Sequence, residues 1–232
     1  RRQRQMCIRD SYFMIKNIIF DFDGVLVDSE ILVARAFAKY MQNLGIKVDE
    51  KEFANLAGKK TVEVINILSE KYSITDTQIF FNNIMEIASN IYKKELTIIK
   101  GAYDFVSNQK NNLFIGSNSM KDRIIDGLQR VGLNKYFKEK QIYSFDMVKN
   151  PKPDPDIYLK AIDDNNLIKN QTIIIEDSAV GVMAGAAAGV KVIGLTAGGH
   201  WHEKRDEKEL LEAGAFAVTN DYKKIFELIE SN

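Results

Sequence analysis

The 232-residue chain has one cysteine, three prolines, no net charge and no long apolar run. The single Cys7 excludes an internal disulfide, which fits a reducing, cytoplasmic location. No run approaches the roughly 20 apolar residues of a membrane-spanning helix, so no membrane partner is expected. The 32 basic residues balance 32 acidic ones, so no basic field favours nucleic acid. The oligomeric state stays open, with a monomer as the simplest expectation.

The chain does contain enough apolar residues for a sizeable core, at 45% of the sequence. Residues 1–13 are basic and polar and lack the apolar segment of a secretory signal. Met14 directly precedes the first strand-like run. We therefore predict that residues 1–13 are a non-native tail, with a short basic arm as the alternative, and that the fold begins at Met14.

Two acids stand at the end of the first apolar run. Residues 18–20 lead straight into Asp21 and Asp23, and Gly24 follows. Buried charge is costly unless it is paired, and clustered carboxylates suit a hard divalent cation. Residues i and i+2 of an extended chain point to the same side, so both carboxylates can face one small volume. One could then act as nucleophile and the other as proton carrier; a solvated Asp-Gly turn is the structural alternative.

Helices and strands alternate from Gly101 onward, which predicts an α/β fold. Strand-like runs lie near residues 113–116, 141–143, 172–175, 190–195 and 217–218. Strands separated by helices indicate a Rossmann-like parallel sheet with right-handed crossovers and helices on both faces.

Residues 30–97 have a different pattern, because helical periodicity dominates them and no strand signal interrupts it. We interpret this segment as an inserted all-helical cap domain. Residues 14–29 and 98–232 would then form the α/β core domain.

Polar clusters follow three of the predicted strands. Ligands of parallel sheets bind beyond the carboxyl ends of strands, so these clusters are expected to share one site. A hydroxyl beside a helix start suits a phosphate oxygen, and paired acids supply oxygen ligands for Mg²⁺; plain N-capping is the alternative for both. The clusters are Asp21 with Asp23, Ser117 with Asn118, and Glu176 with Asp177.

A lysine completes the set of parts that phosphoryl transfer requires. All three prolines lie between residues 151 and 155, and Lys152 stands among them. Prolines fix the local backbone, so the reach of Lys152 is well defined. It could neutralise both Asp21 and a phosphoryl oxygen, although an isolated loop lysine is usually solvated.

The three clusters and Lys152, taken in chain order, resemble the motifs of the haloacid dehalogenase-like superfamily. The resemblance covers Met14 to about Ile229 and is to the capped small-molecule phosphatases, a branch that includes phosphoglycolate phosphatases and β-phosphoglucomutase-like enzymes. Pro151 departs from the glycine that relatives often have there. The matching positions are Asp21 to Ser29, Ser117 with Asn118, Lys152 to Asp156, and Glu176 to Ser178 with Gly181.

The resemblance implies a Mg²⁺-dependent phosphatase that hydrolyses a small phosphomonoester, a sugar phosphate or a phospho-acid. It implies that Asp21 attacks phosphorus to form an aspartyl-phosphate and that Asp23 first donates and then accepts a proton. It also implies that Ser117 and Lys152 hold the phosphoryl oxygens. The implied metal ligands are Asp21, the Asp23 backbone carbonyl and Asp177. Glu176 is implied either as a further ligand or as a residue that assists without contacting the metal.

Substrate contacts are expected from Asn118 and from a cap loop that contains Gly58, Lys59 and Lys60. A solvated turn is the alternative for this loop. The resemblance also leaves a sugar-phosphate mutase open, but mutases of this type carry a cap histidine and a loop arginine, which are absent here. A non-enzymatic phosphate-binding module is a further alternative.

The only two histidines, His200 and His202, lie far from the cap in sequence. Two histidines at this spacing without a third ligand are weak evidence for a metal site. We predict that they belong to a surface loop.

Overall fold

The computed structural model describes residues 14–48, 53, 61–203 and 205–230, with backbone only at positions 61 and 62. Within these residues the strands form one six-stranded, fully parallel sheet in the order β3-β2-β1-β4-β5-β6. The strands are β1 (Asn17–Phe20), β2 (Asn112–Ser117), β3 (Ile142–Ser144), β4 (Thr172–Glu176), β5 (Lys191–Leu195) and β6 (Ala217–Thr219).

Helices connect the strands and continue past the last one. The first group, between β1 and β2, is α1 (Glu30–Asn43), α2 (Thr61–Lys71), α3 (Thr77–Glu95) and α4 (Ala102–Asn108). The second group is α5 (Lys121–Arg130), α6 (Asp156–Asp164), α7 (Ala179–Ala187), α8 (Lys208–Glu212) and α9 (Tyr222–Glu230). The predicted α/β fold with a Rossmann-like parallel sheet is confirmed.

Strand β1 lies at the centre of the sheet, between β2 and β4. Its last residue, Phe20, pairs with Ile115 of β2 and Ile175 of β4. The three strands therefore end at nearly the same level. Chain connections leave this point in opposite directions along the sheet, which is where ligands bind in open parallel sheets.

Apolar side chains cover both faces of the sheet, because successive residues of a strand point to opposite sides. Ile18 and Phe20 pack in a core cluster that includes residues of α4, α5 and α9. Ile19, between them, packs in a second cluster with residues of α6, α7 and α8. Burial on both sides explains why β1 is a continuous apolar run rather than an alternating one.

Helices α1, α2 and α3 share a third apolar cluster. Phe37 of α1 contributes to it by stacking on Phe53 at 5.6 Å and meeting Phe80 of α3 edge-on at 6.2 Å. The chain leaves the sheet region and returns to it side by side, since the Asp28 amide donates to the Thr97 carbonyl at 2.9 Å. No helix of the described ranges has the length and apolarity that crossing a membrane would need.

The predicted strands are all present, with ends that differ by one or two residues. Helices α8 and α9 are missing from the sequence-based prediction. In α9 the buried residues Tyr222, Ile225 and Ile229 follow helical spacing, so the signal was available. The predicted tail at residues 1–13 lies outside the described residues.

Candidate active site

The polar clusters predicted at the strand ends line one open cavity. Its floor is the carboxyl edge of the sheet, and helices α1 and α2 contribute a facing wall. Asp21 directly follows β1, and its backbone amide donates to the Ile175 carbonyl at 2.9 Å. The cavity is lined by all seven core-region residues singled out from the sequence, which are Asp21, Asp23, Ser117, Asn118, Lys152, Glu176 and Asp177.

Lys152 lies between two of the acids. Its Nζ is 2.7 Å from Asp21 Oδ1 and 2.6 Å from Glu176 Oε1, and the lysine is only 3% exposed. Burial alone would lower the pKa of Lys152, but the adjacent Asp21 and Glu176 carboxylates raise it. Lys152 therefore stays charged, which is what neutralising a phosphoryl group requires.

Asn118 fixes the backbone of Lys152. Its side-chain amide donates to the Lys152 carbonyl at 3.1 Å, and its Oδ1 accepts from the Lys152 amide at 3.0 Å. Both groups of the amide are thus used across the 34 residues between the two loops. Asn118 was predicted to bind substrate; in this structure it lines the cavity and holds the lysine in place.

Glu176 is already surrounded by hydrogen-bond donors. Besides Lys152 it accepts from the Tyr158 hydroxyl at 2.8 Å, and its other oxygen accepts from the backbone amides of Asp177 and Ser178. A Cβ at position 181 would lie 1.7 Å from Glu176 Oε1, so Gly181 leaves the room for this carboxylate. Glu176 is therefore best placed to orient its neighbours.

Three carboxylates converge at this edge of the sheet. One oxygen each from Asp21, Glu176 and Asp177 lies within 4.8 Å of the others, and all three residues are buried. Burial and mutual repulsion raise the pKa of Asp21 and of Asp177 well above their usual range. A divalent cation would relieve this repulsion, so the donor set fits a hard metal ion bound through oxygen. The carboxylates of Asp21 and Asp177 accept fewer hydrogen bonds than the Glu176 carboxylate, so they are more available to a metal ion.

Asp23 has a different environment from Asp21. The hydroxyls of Ser29 and Ser119 both donate to its carboxylate, and Arg123 Nη1 lies 2.8 Å from it. Burial would raise the pKa of Asp23, but the Arg123 guanidinium and the three hydrogen bonds lower it. Asp23 is therefore ionised and held in one orientation, which suits a group that accepts a proton.

Arg123 and Ser119 were not identified from the sequence. Arg123 lies in the first turn of α5, and its guanidinium lies 4.6 Å from the centre of the Tyr92 ring on α3. The Tyr92 hydroxyl in turn donates to the Arg123 carbonyl. The only sequence signal for Arg123 and Ser119 was their position, since both residues follow Ser117 at the end of β2.

His200 contradicts the surface-loop prediction, because it is 1% exposed and lines the cavity. Its Nε2 lies 3.0 Å from Asp177 Oδ2. Burial lowers the pKa of His200 to about 4, so the imidazole is neutral and Nε2–H donates to the carboxylate. Glycines make the space: a Cβ at position 198 would lie 2.7 Å from His200 Cε1, and one at position 24 would lie 1.8 Å from Asp177 Oδ2.

The loop around His200 is held at two further points. The Gly199 amide donates to Asp28 Oδ1 at 2.9 Å, and the Trp201 indole donates to the Asp177 carbonyl at 3.2 Å. The Arg205 guanidinium lies 3.9 Å from the centre of the Trp201 ring. Asp177 is therefore held in place through hydrogen bonds to both its side chain and its backbone.

The predicted substrate-binding residues Gly58, Lys59 and Lys60 lie outside the described residues.

Comparisons with known proteins identify the family of this chain. Residues 18–195 match the family model described as haloacid dehalogenase-like hydrolase. A phosphorylated carbohydrates phosphatase from Thermotoga maritima is 32% identical over 206 residues, which are 87% of this chain and 92% of the relative. A 6-phosphogluconate phosphatase from Escherichia coli is 28% identical over 188 residues, covering 80% of this chain and 85% of the relative.

A solved structure of a haloacid dehalogenase family hydrolase from Deinococcus radiodurans, with bound phosphate and sodium, superposes with a TM-score of 0.82. It is 26% identical, and the match covers 94% of this chain and 96% of that one. The expectation that this chain is a hydrolytic enzyme is confirmed, and the chain belongs to the haloacid dehalogenase-like hydrolases.

Proposed function

We propose that this hydrolase is a Mg²⁺-dependent phosphatase that cleaves a small phosphomonoester through an aspartyl-phosphate on Asp21. The observation that carries the proposal is the buried contact of Asp21 with Lys152 inside a cluster of three carboxylates. The named phosphatases among its relatives support the reaction class, and two of them are named for phosphorylated carbohydrates and a phospho-sugar acid.

Asp21 is the nucleophile in this proposal. It attacks the phosphorus, the bond to the ester oxygen breaks, and a phosphoryl group is left on the Asp21 carboxylate. Lys152 and the Ser117 hydroxyl hold the non-bridging oxygens, since both residues line the cavity beside Asp21. When bound, a divalent cation supplies charge neutralisation and orients a phosphate oxygen. Asp21, Asp177 and the Asp23 backbone carbonyl are the groups that would hold it.

Asp23 is the proton carrier. It delivers a proton to the leaving oxygen and then takes one from the water that attacks the aspartyl-phosphate. The ionised carboxylate, held by Ser119 and Arg123, is ready for the second of these steps. For the first step it must carry a proton against the charge of Arg123.

We also propose that residues 30–97 form the cap over this site. Helices α1 to α3 have their own apolar cluster, and α1 and α2 supply a wall of the cavity. A wall of this kind excludes bulk water while the aspartyl-phosphate exists. The chain has no histidine between residues 30 and 97, so the histidine that the mutase resemblance implies is absent and hydrolysis is favoured.

Phosphate release from p-nitrophenyl phosphate and from small sugar phosphates, with Mg²⁺ and with EDTA, tests the proposal. We expect turnover that requires Mg²⁺ and returns when Mg²⁺ is added after EDTA. Turnover that continues unchanged in EDTA would contradict the metal dependence. No release from any phosphomonoester would contradict the phosphatase assignment and favour a binding module.

A further inference from the structure

The end of helix α3 packs against one face of helix α5. Arg123, Gly127 and Arg130 occupy positions i, i+4 and i+7 of α5, which lie on the same side of a helix. The Arg123 carbonyl accepts from the Tyr92 hydroxyl at 3.4 Å, and Arg130 Nη1 donates to the Lys93 carbonyl at 2.9 Å. Gly127 leaves room between these contacts, because a Cβ there would overlap the Tyr92 hydroxyl oxygen. The two helices are therefore closely fitted around Tyr92.

Gly127 also faces Phe22, the residue between Asp21 and Asp23. A Cβ at position 127 would lie 2.5 Å from Phe22 Cζ, and Phe22 is fully buried. The same glycine thus leaves room for the Tyr92 hydroxyl and for the Phe22 ring. The end of α3 is therefore packed next to the segment that carries both acids.

One nitrogen makes the contacts of Arg123 with the proposed proton carrier. Nη1 lies 2.8 Å from each oxygen of the Asp23 carboxylate. It also donates to the Ser119 hydroxyl, which itself donates to Asp23. Within the described ranges, Nε and Nη2 of Arg123 make no hydrogen bond to another residue. A guanidinium held through one nitrogen can turn about that point, so these hydrogen bonds alone leave the plane of the group free.

The Tyr92 ring supplies a second restraint on Arg123. The central carbon of the guanidinium lies 4.6 Å from the centre of the ring, and an aromatic face attracts a guanidinium placed over it. The ring is in turn fixed by its hydroxyl, which donates to the Arg123 carbonyl. Burial raises the pKa of Tyr92 to about 12, so the hydroxyl keeps its proton and stays a donor. Tyr92 therefore contacts Arg123 through both its side chain and its backbone.

We infer that Tyr92 is a positioning residue: its ring fixes the plane of the Arg123 guanidinium and thereby the orientation of the Asp23 carboxylate. The inference rests on the proposed phosphatase function, in which Asp23 carries the proton, and it gives the proposed cap a part in that step. A proton donor must lie within hydrogen-bond reach of the leaving oxygen, and a small displacement of a catalytic group lowers the rate strongly. Tyr92 is not among the residues that line the cavity, so its effect passes through Arg123.

Two substrates with different leaving groups test the inference in Tyr92→Leu, which removes the aromatic face and keeps apolar bulk. The leaving oxygen of n-propyl phosphate needs a proton, whereas p-nitrophenolate departs as a stable anion. We expect Tyr92→Leu to lower kcat/KM about tenfold or more for n-propyl phosphate and less than about threefold for p-nitrophenyl phosphate. Equal losses for the two esters, or a gain for n-propyl phosphate, would overturn the inference.

Two further variants assign the effect to the aromatic face. Tyr92→Phe keeps the ring, so it should retain most of the activity on n-propyl phosphate; a loss as large as in Tyr92→Leu would overturn the role of the ring. Tyr40→Leu is the matched control, since Tyr40 is another half-buried tyrosine of the proposed cap, with its ring 5.2 Å from that of Phe80. It should leave the ratio of kcat/KM for the two esters unchanged, and a shift as large as in Tyr92→Leu would overturn the inference.

A double variant tests whether Tyr92 acts through Arg123. In an Arg123→Ala background, Tyr92→Leu should cause no further loss on n-propyl phosphate, because the guanidinium that the ring positions is already gone. Losses that multiply as if the two residues were independent would overturn the inference.

A measurement without turnover separates this inference from the proposed function. In ¹H–¹⁵N NMR spectra the Nη–H signals of a held guanidinium are resolved, and those of a freely rotating one are averaged. We expect resolved Arg123 signals in wild type and in Tyr40→Leu, and averaged signals in Tyr92→Leu; Arg123→Lys identifies these signals by removing them. This result supports the restraint by Tyr92 even if wild-type protein releases no phosphate, and then only the phosphatase assignment fails. Resolved signals in Tyr92→Leu, or averaged ones in wild type, together with phosphate release would remove the Tyr92 inference and leave the phosphatase.

Discussion

The sheet region and the helical region contribute different things to one cavity. The sheet region, residues 14–29 and 98–230, supplies the acids, the lysine and the serines at the ends of three adjacent strands. The helical region, residues 30–95, supplies Glu30 and an apolar stripe on α1 to the cavity wall. Groups of the first kind hydrogen-bond to one another across the sheet, whereas the Glu30 carboxyl has no such bond among the residues that the structure describes. In the proposed phosphatase the reacting groups would therefore come from the sheet region, and the helical region would supply the rest of the cavity wall.

Replacing Asp21, the proposed nucleophile, should have the largest effect of any change in the sheet region. We expect Asp21→Asn to lower kcat by a factor on the order of 1,000 or more for every phosphomonoester, because the amide cannot form the aspartyl-phosphate. Steady-state phosphate release measures the loss, and intact circular dichroism is the control for folding. Residual activity within tenfold of wild type would contradict the assignment of Asp21 as the nucleophile and, with it, the role given to the sheet region.

The next largest effect should depend on the leaving group. Asp23→Asn is expected to lower kcat by roughly 100- to 10,000-fold for alkyl phosphates, because their leaving oxygen needs a proton. The loss should be smaller for p-nitrophenyl phosphate, whose leaving group departs as a stable anion. Substrate affinity should stay within a few-fold in titrations. An equal loss for both kinds of ester would remove the donor role of Asp23.

A third prediction concerns His200, which contacts the Asp177 carboxylate of the sheet region and has no part in the proposed reaction itself. We expect His200→Asn to weaken Mg²⁺ binding by about 10- to 100-fold, since a partner that orients a ligand carboxylate typically contributes this much. Calorimetric Mg²⁺ titration in the absence of substrate measures the effect. His202→Asn, two residues away, is the control. Unchanged Mg²⁺ affinity in His200→Asn would show that Asp177 needs no such support.

The smallest effect concerns stability in the helical region. The pKa of Glu30 is raised from 4.5 to about 7 by burial, so ionising it costs stability. The cost is absent below about pH 4.5, grows between pH 4.5 and 7, and is complete above pH 7. Glu30→Gln should therefore match wild type at pH 4 and exceed it by on the order of 1 to 3 kcal/mol at pH 8.

Thermal unfolding at both pH values measures this difference, which corresponds to several degrees for a chain of this size. Glu70→Gln, on an exposed position of α2, is the control and should show no such pH dependence. A variant that is less stable than wild type at pH 8 would mean that a partner stabilises the ionised Glu30 carboxylate, against the cost of burial that its raised pKa implies.

Much of the sheet region could be predicted because its signals are local. Apolar runs that end in Asp21, Ser117 and Glu176 indicate both a strand and its polar tip. Lys152 was found for a similar reason, since prolines on either side mark a rigid loop. Parallel sheets place such tips at one edge, so the convergence followed from the pattern of strands.

The rest of the site depends on contacts between distant residues. His200 reaches Asp177 because Gly198 leaves space for its ring and Gly24 leaves space for the Asp177 carboxylate. Arg123 reaches Asp23 across 100 residues of sequence. Neither pair has a periodicity or a spacing that a single sequence displays, and so His200 was wrongly placed on the surface.

The sequence by itself determined the six strands in chain order, the polar strand ends and the family. Backbone periodicity and side-chain polarity are local properties, so they can be read one segment at a time. Only the tertiary structure decided which donors hydrogen-bond to each carboxylate of the cavity floor. Those depend on distances of about 3 Å between residues far apart in the chain, and packing alone sets such distances.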